Sequence, residues 1–367
     1  MKHEFGTRFA KNVRLLGILA VAAAFGASGA AAVELKAETG SPPASVQASA
    51  TTEAFAKDLA ERTNGSVTLN ITYGGARAKL TEMADAVGSG IIDLGVVATV
   101  YTPGIFPIWS SLATADFRQT TGGDLVAVNA IAATLLAEFP AMQEEVAKHN
   151  IKIVGFMPLD ELVLYTKRPV ASMADLQGMK VRGPSEGGIR TLNYAGAAGM
   201  NVPWAEVATS LQTGLIEGVW TNAGFGVATK THEIATHATY LDLRALVPTV
   251  ILAMNLDKYN SLSDSEKAAL DETYRAMLVK FGELIAGERA AALETLKSDP
   301  KVTFIEFPQA ERDAWISKTP VVLEEVGGLL DGKGLPGAAI TARVKELYQG
   351  YNDKTWDPLA AIAASKL

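Results

Sequence analysis

The stretch Asp175-Leu176-Gln177-Gly178-Met179-Lys180-Val181-Arg182 predicts a tight turn that leads into a short apolar strand. Gly183-Pro184 follows at once and ends the strand, because proline has no N–H for a sheet ladder. Strands that give way to helices build α/β proteins, whose ligands bind at the carboxyl ends of the strands. Arg182 stands at such an end, and its guanidinium is a rigid fork that matches a carboxylate. The pattern alone leaves a surface or structural role for Arg182 open.

Strands and helices alternate in both directions from this segment. Strands are predicted at 67–73, 91–97, 151–157, 219–222 and 249–255, the last of which could return to the first sheet. Helices are predicted at 52–62, 81–87, 125–139, 189–195 and 206–213. One long helix should begin after Ser263, because Ser263 and Glu266 have capping-box spacing and apolar residues then recur every three to four positions. The pattern predicts an α/β fold with parallel strands.

The N-terminus has the order of residues found in a secretory signal peptide, which we assign to residues 1–32. Basic residues precede an apolar run that ends in small residues; these are Lys2, Arg8, Lys11 and Arg14, then 15–25, then Ala30-Ala31-Ala32. A permanent membrane anchor is the alternative, since the run is almost long enough to span. Its alanine and glycine content, and the absence of a stop-transfer flank, favour a cleaved leader and a periplasmic location.

The 335 residues after the leader are too many for one ordinary core, so two lobes are expected. We expect lobe I at 33–157, with a return segment at about 249–300. The core of lobe II is expected at 158–248. The C-terminal helices, at 301–367, should pack on the lobes, with a glycine-rich break at 327–337.

The composition excludes several classes of protein and partner. The chain has no cysteine, so disulfides, thiolate metal sites and a lipid-modified N-terminal cysteine are excluded. Its 33 basic and 40 acidic residues give a net charge of −7, which becomes −10 without the leader's four basic residues and one acidic residue. This charge argues against nucleic acid or an anionic membrane as a general partner. No later stretch is long and apolar enough to span a membrane, and no cofactor or metal is expected.

Two motifs resemble those of enzymes. Residues 183–187 match G-x-S-x-G, so a serine hydrolase that uses Ser185 is the enzyme alternative. Pro184 restricts the backbone beside a serine that would need a strained conformation, and His232 and His237 are the histidines that follow. These two histidines lie in a segment predicted to be helical. At five residues apart they point about 140° away from each other and cannot share one metal ion.

The opening segment, taken with other motifs in chain order, resembles the extracytoplasmic receptors of tripartite ATP-independent periplasmic (TRAP) transporters. The resemblance spans nearly the whole chain after the leader. The other motifs are Phe55-Ala56, Thr63-Asn64-Gly65, Tyr73-Gly74-Gly75, Gly90-Ile91-Ile92-Asp93, Asn201-Val202-Pro203-Trp204-Ala205-Glu206-Val207 and Leu211-Gln212-Thr213-Gly214-Leu215-Ile216-Glu217-Gly218.

The resemblance implies a two-lobed periplasmic binding protein, or venus flytrap, in which strands cross between the lobes and a long helix braces both. It implies that Arg182 holds the carboxylate of a small organic acid and that Asn222 contributes to the same cleft. Receptors of this family deliver ligand to a sodium-driven pair of integral membrane subunits and are not enzymes. A receptor for an ATP-driven transporter is an alternative. Some relatives, notably sialic-acid binders, carry a second arginine about twenty residues earlier; here 160–162 holds no cation.

Aromatic residues near these motifs are candidates for the walls of the pocket. We take Tyr101, Trp204 and Phe225 as binding residues, with core packing as the alternative for each. Whether Trp109, Trp220 or Ser185 reaches the ligand stays open. Aromatic walls and one cation suit a monocarboxylate with an apolar or aromatic body, although sugar acids also stack on aromatic rings. A dicarboxylate, a 2-oxo acid, an aromatic acid and a uronate all remain open, as does the oligomeric state.

Overall fold

The structure is a computed structural model that describes residues 32–41, 43, 45, 49–113, 121–158, 162–183, 185–243, 248, 250–318 and 322–365. The predicted signal peptide lies outside the described residues, apart from Ala32 at its end. Pro184 and two of the three positions at 160–162 also lie outside them.

The described residues form two β-sheets. The strands are β1 (Val33–Thr39), β2 (Val67–Tyr73), β3 (Leu94–Ala98), β4 (Ile151–Met157), β5 (Leu162–Thr166), β6 (Lys180–Arg182), β7 (Ala198–Met200), β8 (Gly218–Asn222), β9 (His237–Leu243), β10 (Val250–Asn255) and β11 (Thr303–Glu306). The first sheet has the order β2-β1-β3-β10-β4, and the second has the order β11-β9-β5-β8-β6-β7.

Helices surround both sheets. They are α1 (Ser49–Arg62), α2 (Met83–Gly88), α3 (Pro107–Ser111), α4 (Leu125–Glu138), α5 (Pro140–Ala147), α6 (Glu186–Tyr194), α7 (Trp204–Thr213), α8 (Ala223–Ala228), α9 (Thr231–Ile234), α10 (Leu256–Ser261), α11 (Asp264–Ser298), α12 (Gln309–Lys318), α13 (Val322–Asp331), α14 (Gly337–Asn352) and α15 (Pro358–Ala364). Single 3₁₀ turns lie at Thr99–Tyr101 and Met173–Leu176.

The chain crosses between the sheets several times. It passes from the first sheet to the second between β4 and β5 and returns between β9 and β10. Strand β10 then runs antiparallel between β3 and β4, so the first sheet is closed by a segment that comes after most of the second. The predicted return of 249–255 to the first sheet is confirmed, and the fold is the two-lobed α/β architecture that the sequence predicts. The expectation of parallel strands is correct only in part, because β10 runs antiparallel to β3 and β4, and β5 runs antiparallel to β8 and β9.

The long helix α11 packs against both halves of the molecule. It begins at a capping box, in which Ser263 N donates to Glu266 Oε2 at 2.9 Å and Glu266 N donates to Ser263 Oγ at 3.3 Å. It lies on α1, α4 and β4 on the first-sheet side and on α8 on the second-sheet side. Because one rigid helix contacts both halves, it braces them as the resemblance implied.

Each sheet is buried on both faces, as expected for strands covered by helices on two sides. One face of the first sheet packs on α1 and α11 through Phe55, Leu59 and Phe281, and the other on α4, α5, α13 and α14. The second sheet packs on one face around Trp220 and Trp315. Val163, Tyr165 and Val219 lie in the core on its other face.

Some local predictions were wrong. Strand β3 begins at Leu94 rather than 91, and Ile91 is 59% exposed in the turn before it. His237 is the first residue of β9 and not part of a helix, because α9 ends at Ile234 and the alternating residues 237–243 pair with β5 and β11. Gly327 lies within α13, where a side chain would collide with Thr341 of α14. The glycine at this position therefore allows close helix packing, and the break falls at 332–336.

Within the described ranges, no single helix is long and apolar enough to cross a membrane. The bent pair α4 and α5, which meet at 87°, reaches that length and composition only when taken together.

Candidate functional site

Local interactions on both sides of β6 place Arg182. The 3₁₀ turn before the strand is closed by a capping box in which the Asp175 carboxylate accepts the Ser172 N–H at 2.9 Å. Gly178 follows with φ of +69°, a conformation that glycine adopts without steric cost. Strand β6 then runs parallel to β7 on one side and to β8 on the other. The predicted turn and strand are both present, although the strand begins at Lys180.

Glu217 explains why the run 211–218 belongs with this strand. Its N–H donates to the Lys180 carbonyl at 2.8 Å, and its carboxylate accepts the Lys180 N–H at 3.1 Å. Gly214 ends α7 in the left-handed conformation, which turns the chain back toward the sheet. The run therefore anchors β8 beside β6.

The Arg182 side chain is buried, with 4% of its surface exposed. Its Nε donates to the Val202 carbonyl at 3.2 Å, and Nη1 donates to the Trp220 carbonyl at 3.4 Å. Nη2 donates to the Tyr101 hydroxyl at 3.2 Å. All three acceptors are neutral oxygens, so the guanidinium is oriented by these contacts but its charge is not balanced by them.

No carboxylate oxygen of the described residues lies within 4 Å of this guanidinium. Burial lowers the pKa of Arg182, because removal from water disfavours the charged form, while Tyr101 acts in the opposite direction. Arginine nevertheless stays protonated in proteins. A guanidinium has five N–H groups, and three are engaged here. One N–H on each Nη remains for a further acceptor, which matches the two oxygens of a carboxylate.

Tyr101 reaches Arg182 from the other sheet. It ends the 3₁₀ turn that follows β3, whereas Arg182 ends β6 in the second sheet. The two residues are 81 positions apart in the chain. The structure therefore brings together two predicted binding residues from opposite halves of the molecule.

Trp204 and Phe225 form an aromatic pair beside the guanidinium. Their ring centroids lie 4.5 Å apart, with the ring planes inclined at 55°. The Arg182 Cζ lies 5.5 Å from the Trp204 ring centroid, within the range of cation–π attraction. Both rings are partly exposed, so they provide apolar surface next to the cation.

Asn222 lies at the carboxyl end of β8, the strand next to β6. Arg182 pairs with Val219 in the sheet register, so Asn222 lies three residues further along the neighbouring strand. Its side chain is buried, and its backbone leads directly into α8, the helix that contains Phe225. The structure thus places Asn222 at the same edge of the sheet as Arg182.

The other two tryptophans near the motifs are fully buried. Trp109 packs on Phe156 with ring centroids 5.3 Å apart, and its indole N–H donates to the Met142 carbonyl at 3.3 Å. Trp220 lies in the core of the second sheet, and its backbone carbonyl contacts Arg182. Both side chains are core residues.

Ser185 has a structural role. Its hydroxyl accepts the Gly188 N–H at 3.0 Å as the N-cap of α6 and donates to the Ala113 carbonyl, 72 residues earlier. Both partners are backbone groups, whereas a nucleophilic serine gives its proton to a base such as histidine. This geometry does not favour a serine hydrolase that uses Ser185. In the described portion of the chain, no group of three or more His, Cys, Asp or Glu residues could hold a metal ion.

The helix that precedes Ala113 is capped by a residue distant in sequence. Helix α3 begins with Pro107, and the side chain of Phe106 cannot accept a hydrogen bond. The carboxylate of Glu145, on α5, accepts the Ile108 N–H at 2.7 Å and the Trp109 N–H at 3.1 Å. Burial raises the pKa of Glu145 to about 7, while these two hydrogen bonds act in the opposite direction. Glu145 therefore fixes the amino end of α3, which lies between Tyr101 and Ala113.

Two kinds of site residue were missed from the sequence. The carbonyls of Val202, Trp220 and Ala113 are backbone groups, which have no sequence signal. Glu217 and Glu145 position the site through backbone N–H groups, and an isolated glutamate has no recognisable pattern. The position of Glu217 in the run 211–218 was the one available signal.

Two α/β lobes joined by crossing segments, with an arginine and aromatic rings where the lobes meet, define the class of periplasmic solute-binding proteins. More specifically, the chain belongs to the family of bacterial extracellular solute-binding proteins, family 7, whose family model matches residues 38–327. This family comprises the receptors of TRAP transporters, so the sequence resemblance and the predicted periplasmic location are confirmed.

The chain is similar to known members of this class. It is 26% identical over 186 residues to the ectoine-binding periplasmic protein TeaA of Halomonas elongata, which covers 49% of this chain and 52% of TeaA. A TRAP solute-binding protein from a marine metagenome, specific for aromatic acids, superimposes with a TM-score of 0.73 at 23% identity, covering 88% of this chain and 99% of the other. A pyroglutamic-acid receptor of Bordetella pertussis gives a TM-score of 0.71 at 18% identity, covering 87% and 100%. These two structures establish the fold.

The chain spans about half the length of the first curated relatives that it matches, with shares of 52%, 58% and 48%.

Proposed function

We propose that this protein captures a small organic acid in the periplasm by pairing the ligand's carboxylate with Arg182. The observation that carries the proposal is a buried guanidinium whose contacts in the described residues are all neutral. A buried cation without a partner anion is costly. Because the guanidinium has already been removed from water, its attraction to the carboxylate of a bound ligand is strong. The solved structures named for aromatic acids and for pyroglutamic acid support an acid as ligand.

The surrounding residues have distinct roles in this proposal. The two remaining Nη hydrogens of Arg182 donate to the carboxylate oxygens, and Asn222 supplies an amide to the same group or to an adjacent oxygen. Trp204 and Phe225 form an apolar wall for the body of the ligand, and Tyr101 contributes its hydroxyl from the opposite lobe. An acid with a flat or apolar body fits these walls best.

The two lobes close around the ligand in this proposal, and each lobe is built from separate parts of the chain. We propose lobe I as 33–157 with the return segment at about 249–300, and the core of lobe II as 158–248. The C-terminal part, 301–367, packs on both. Tyr101 belongs to lobe I and Arg182 to lobe II, and their hydrogen bond of 3.2 Å joins the two lobes, so a hinge motion that opens the cleft would separate them. The closed receptor would then deliver its ligand to sodium-driven membrane subunits.

The test is a titration of acids into the purified protein by calorimetry. The panel contains 3-hydroxybenzoate, pyroglutamate, ectoine, pyruvate and succinate, together with any acid found on the protein by native mass spectrometry. For the tightest ligand, Arg182→Ala should weaken binding by about 2–5 kcal/mol, or roughly 30-fold to several thousand-fold. Arg182→Lys keeps the charge without the forked geometry, so its affinity should lie between that of Arg182→Ala and that of wild type.

Arg190→Ala is the matched control. Arg190 lies on α6 and pairs with Glu186 at 2.9 Å on the surface, so its loss should leave affinity unchanged. A change of less than threefold in Arg182→Ala would refute the role of Arg182. Uptake by membrane vesicles that contain the transporter subunits should follow a sodium gradient; uptake that requires ATP instead would favour the receptor of an ATP-driven transporter.

A further inference from the structure

A second pocket lies at the edge of the first sheet opposite the cleft. Tyr101 follows the carboxyl end of β3, whereas the pocket opens at the amino end of β4, where β10 leads into α10. Since β10 runs antiparallel to both strands, its carboxyl end lies at this opposite edge. The pocket has a volume of about 200 Å³. Its walls are mainly aliphatic, with Leu136, Val146, Ile151 and Ile153 among them.

The polar residues that line this pocket are Lys152, Tyr259 and Gln143, and the Gln143 amide donates to the Leu136 carbonyl at 2.7 Å. The Lys152 ammonium lies 4.6 Å from the centroid of the Tyr259 ring. No carboxylate oxygen in the described part of the chain lies within 4 Å of it. Burial lowers the pKa of Lys152, and Asp271 acts in the opposite direction. The ammonium is thus partly desolvated, with an aromatic face as its contact.

Charges of both signs lie near the pocket. The Lys267 ammonium lies 5.5 Å from the centroid of the same Tyr259 ring. Arg275 lies one turn beyond Asp271 on α11. Burial raises the pKa of Asp271, against the influence of Lys152 and Arg275. Lys152 and Arg275 thus both attract the Asp271 carboxylate.

We propose that this pocket is a second binding site, which takes a small monocarboxylate with an apolar body. The carboxylate would pair with Lys152, and the apolar body would lie between the aliphatic walls and the Tyr259 ring. An apolar cavity of about 150 Å³ accommodates benzene, so a volume of about 200 Å³ suits a ring with one substituent. The site is separate from Arg182 and does not depend on the function proposed for the cleft.

Benzoate is the probe for this proposal, and Arg182→Ala is the background in which the cleft is disabled. A titration followed by ¹H–¹⁵N chemical shifts should show saturable changes at residues 146–153 and 256–259. Adding Lys152→Met should weaken this binding about tenfold or more, since a hydrogen bond to a charged group is lost. Benzyl alcohol, which has the same ring without the charge, should bind at least about tenfold more weakly.

Lys57→Met is the matched control, because Lys57 is an exposed lysine on α1. Non-saturable shifts, equal affinity in Lys152→Met, or equal affinity for benzyl alcohol would each overturn the proposal. Lys152→Gln offers a second variant if Lys152→Met does not fold. Shifts at residues 101 and 204 in the wild type report on the cleft separately, so failure of the Arg182 proposal would leave the shifts at this pocket unchanged.

Discussion

Replacing Glu145 by glutamine should change how the stability of the protein depends on pH. Glu145 is 6% exposed, and its carboxylate caps α3 through the N–H groups of Ile108 and Trp109. Its pKa is about 7 in the folded protein, against an ordinary value of 4.5. The folded state therefore holds this proton more tightly than the unfolded chain does, and stability is greatest when the carboxyl is protonated.

The size of the effect follows from the two pKa values. At about 1.4 kcal/mol per pH unit, Glu145 contributes about 3 kcal/mol that is fully present below pH 4.5 and lost as the pH rises through 7. Glu145→Gln removes this dependence, because an amide does not ionise. The amide, like the protonated carboxyl, is neutral and has one carbonyl oxygen for the two N–H groups. The variant should therefore be about as stable as wild type at pH 5 and about 2–3 kcal/mol more stable than wild type at pH 8.

The measurement is denaturant unfolding between pH 5 and pH 8, followed by circular dichroism and by tryptophan fluorescence to check that the transitions coincide. Glu144→Gln is the matched control, since Glu144 is the exposed neighbour and should leave the pH profile of wild type unchanged. If the difference between wild type and Glu145→Gln stays constant to within about 1 kcal/mol across this range, the reasoning about burial and ionisation is refuted.

Two further substitutions test the contacts between the halves of the molecule. Ser185→Ala should lower the free energy of unfolding by about 1–2 kcal/mol, because it removes an N-cap and the hydrogen bond to Ala113. It should affect no esterase activity. If wild type hydrolyses simple esters and the variant does not, the serine hydrolase hypothesis is supported instead. Tyr101→Phe should weaken binding of the cleft acid by about tenfold or more in calorimetry, since a hydrogen bond from the charged guanidinium of Arg182 to the hydroxyl is lost. An unchanged affinity would remove Tyr101 from the site.

Much of the fold was predictable because its signals are local. The helix α11 was predicted from a capping box and a repeat of apolar residues, and both lie within one segment of chain. His237 shows where such signals end: the polar stretch around it gave no evidence of a strand, and β9 forms because β5 and β11 supply its hydrogen-bond partners. The same holds for Gly327, whose place within α13 depends on its packing against α14.

The candidate site was likewise predictable from the sequence only in part. From the residues alone, the turn at Asp175 and the strand that ends at Arg182 could be predicted, as could aromatic residues nearby. The sequence could not show which oxygen atoms meet the guanidinium, because a backbone carbonyl such as that of Val202 is chemically the same at every position. It also could not show that Glu145 caps a helix 37 residues away.

The sequence by itself determined the α/β class, the order of the family motifs, the strand end that carries Arg182 and the long helix after Ser263. Only the tertiary structure decided that Arg182 is buried with neutral partners and that Tyr101 approaches it from the other sheet across 81 residues. The physical reason is the range of the forces involved. Caps, turns and periodicity act within a few residues, whereas burial and the pairing of charges depend on segments that meet only when the chain has folded.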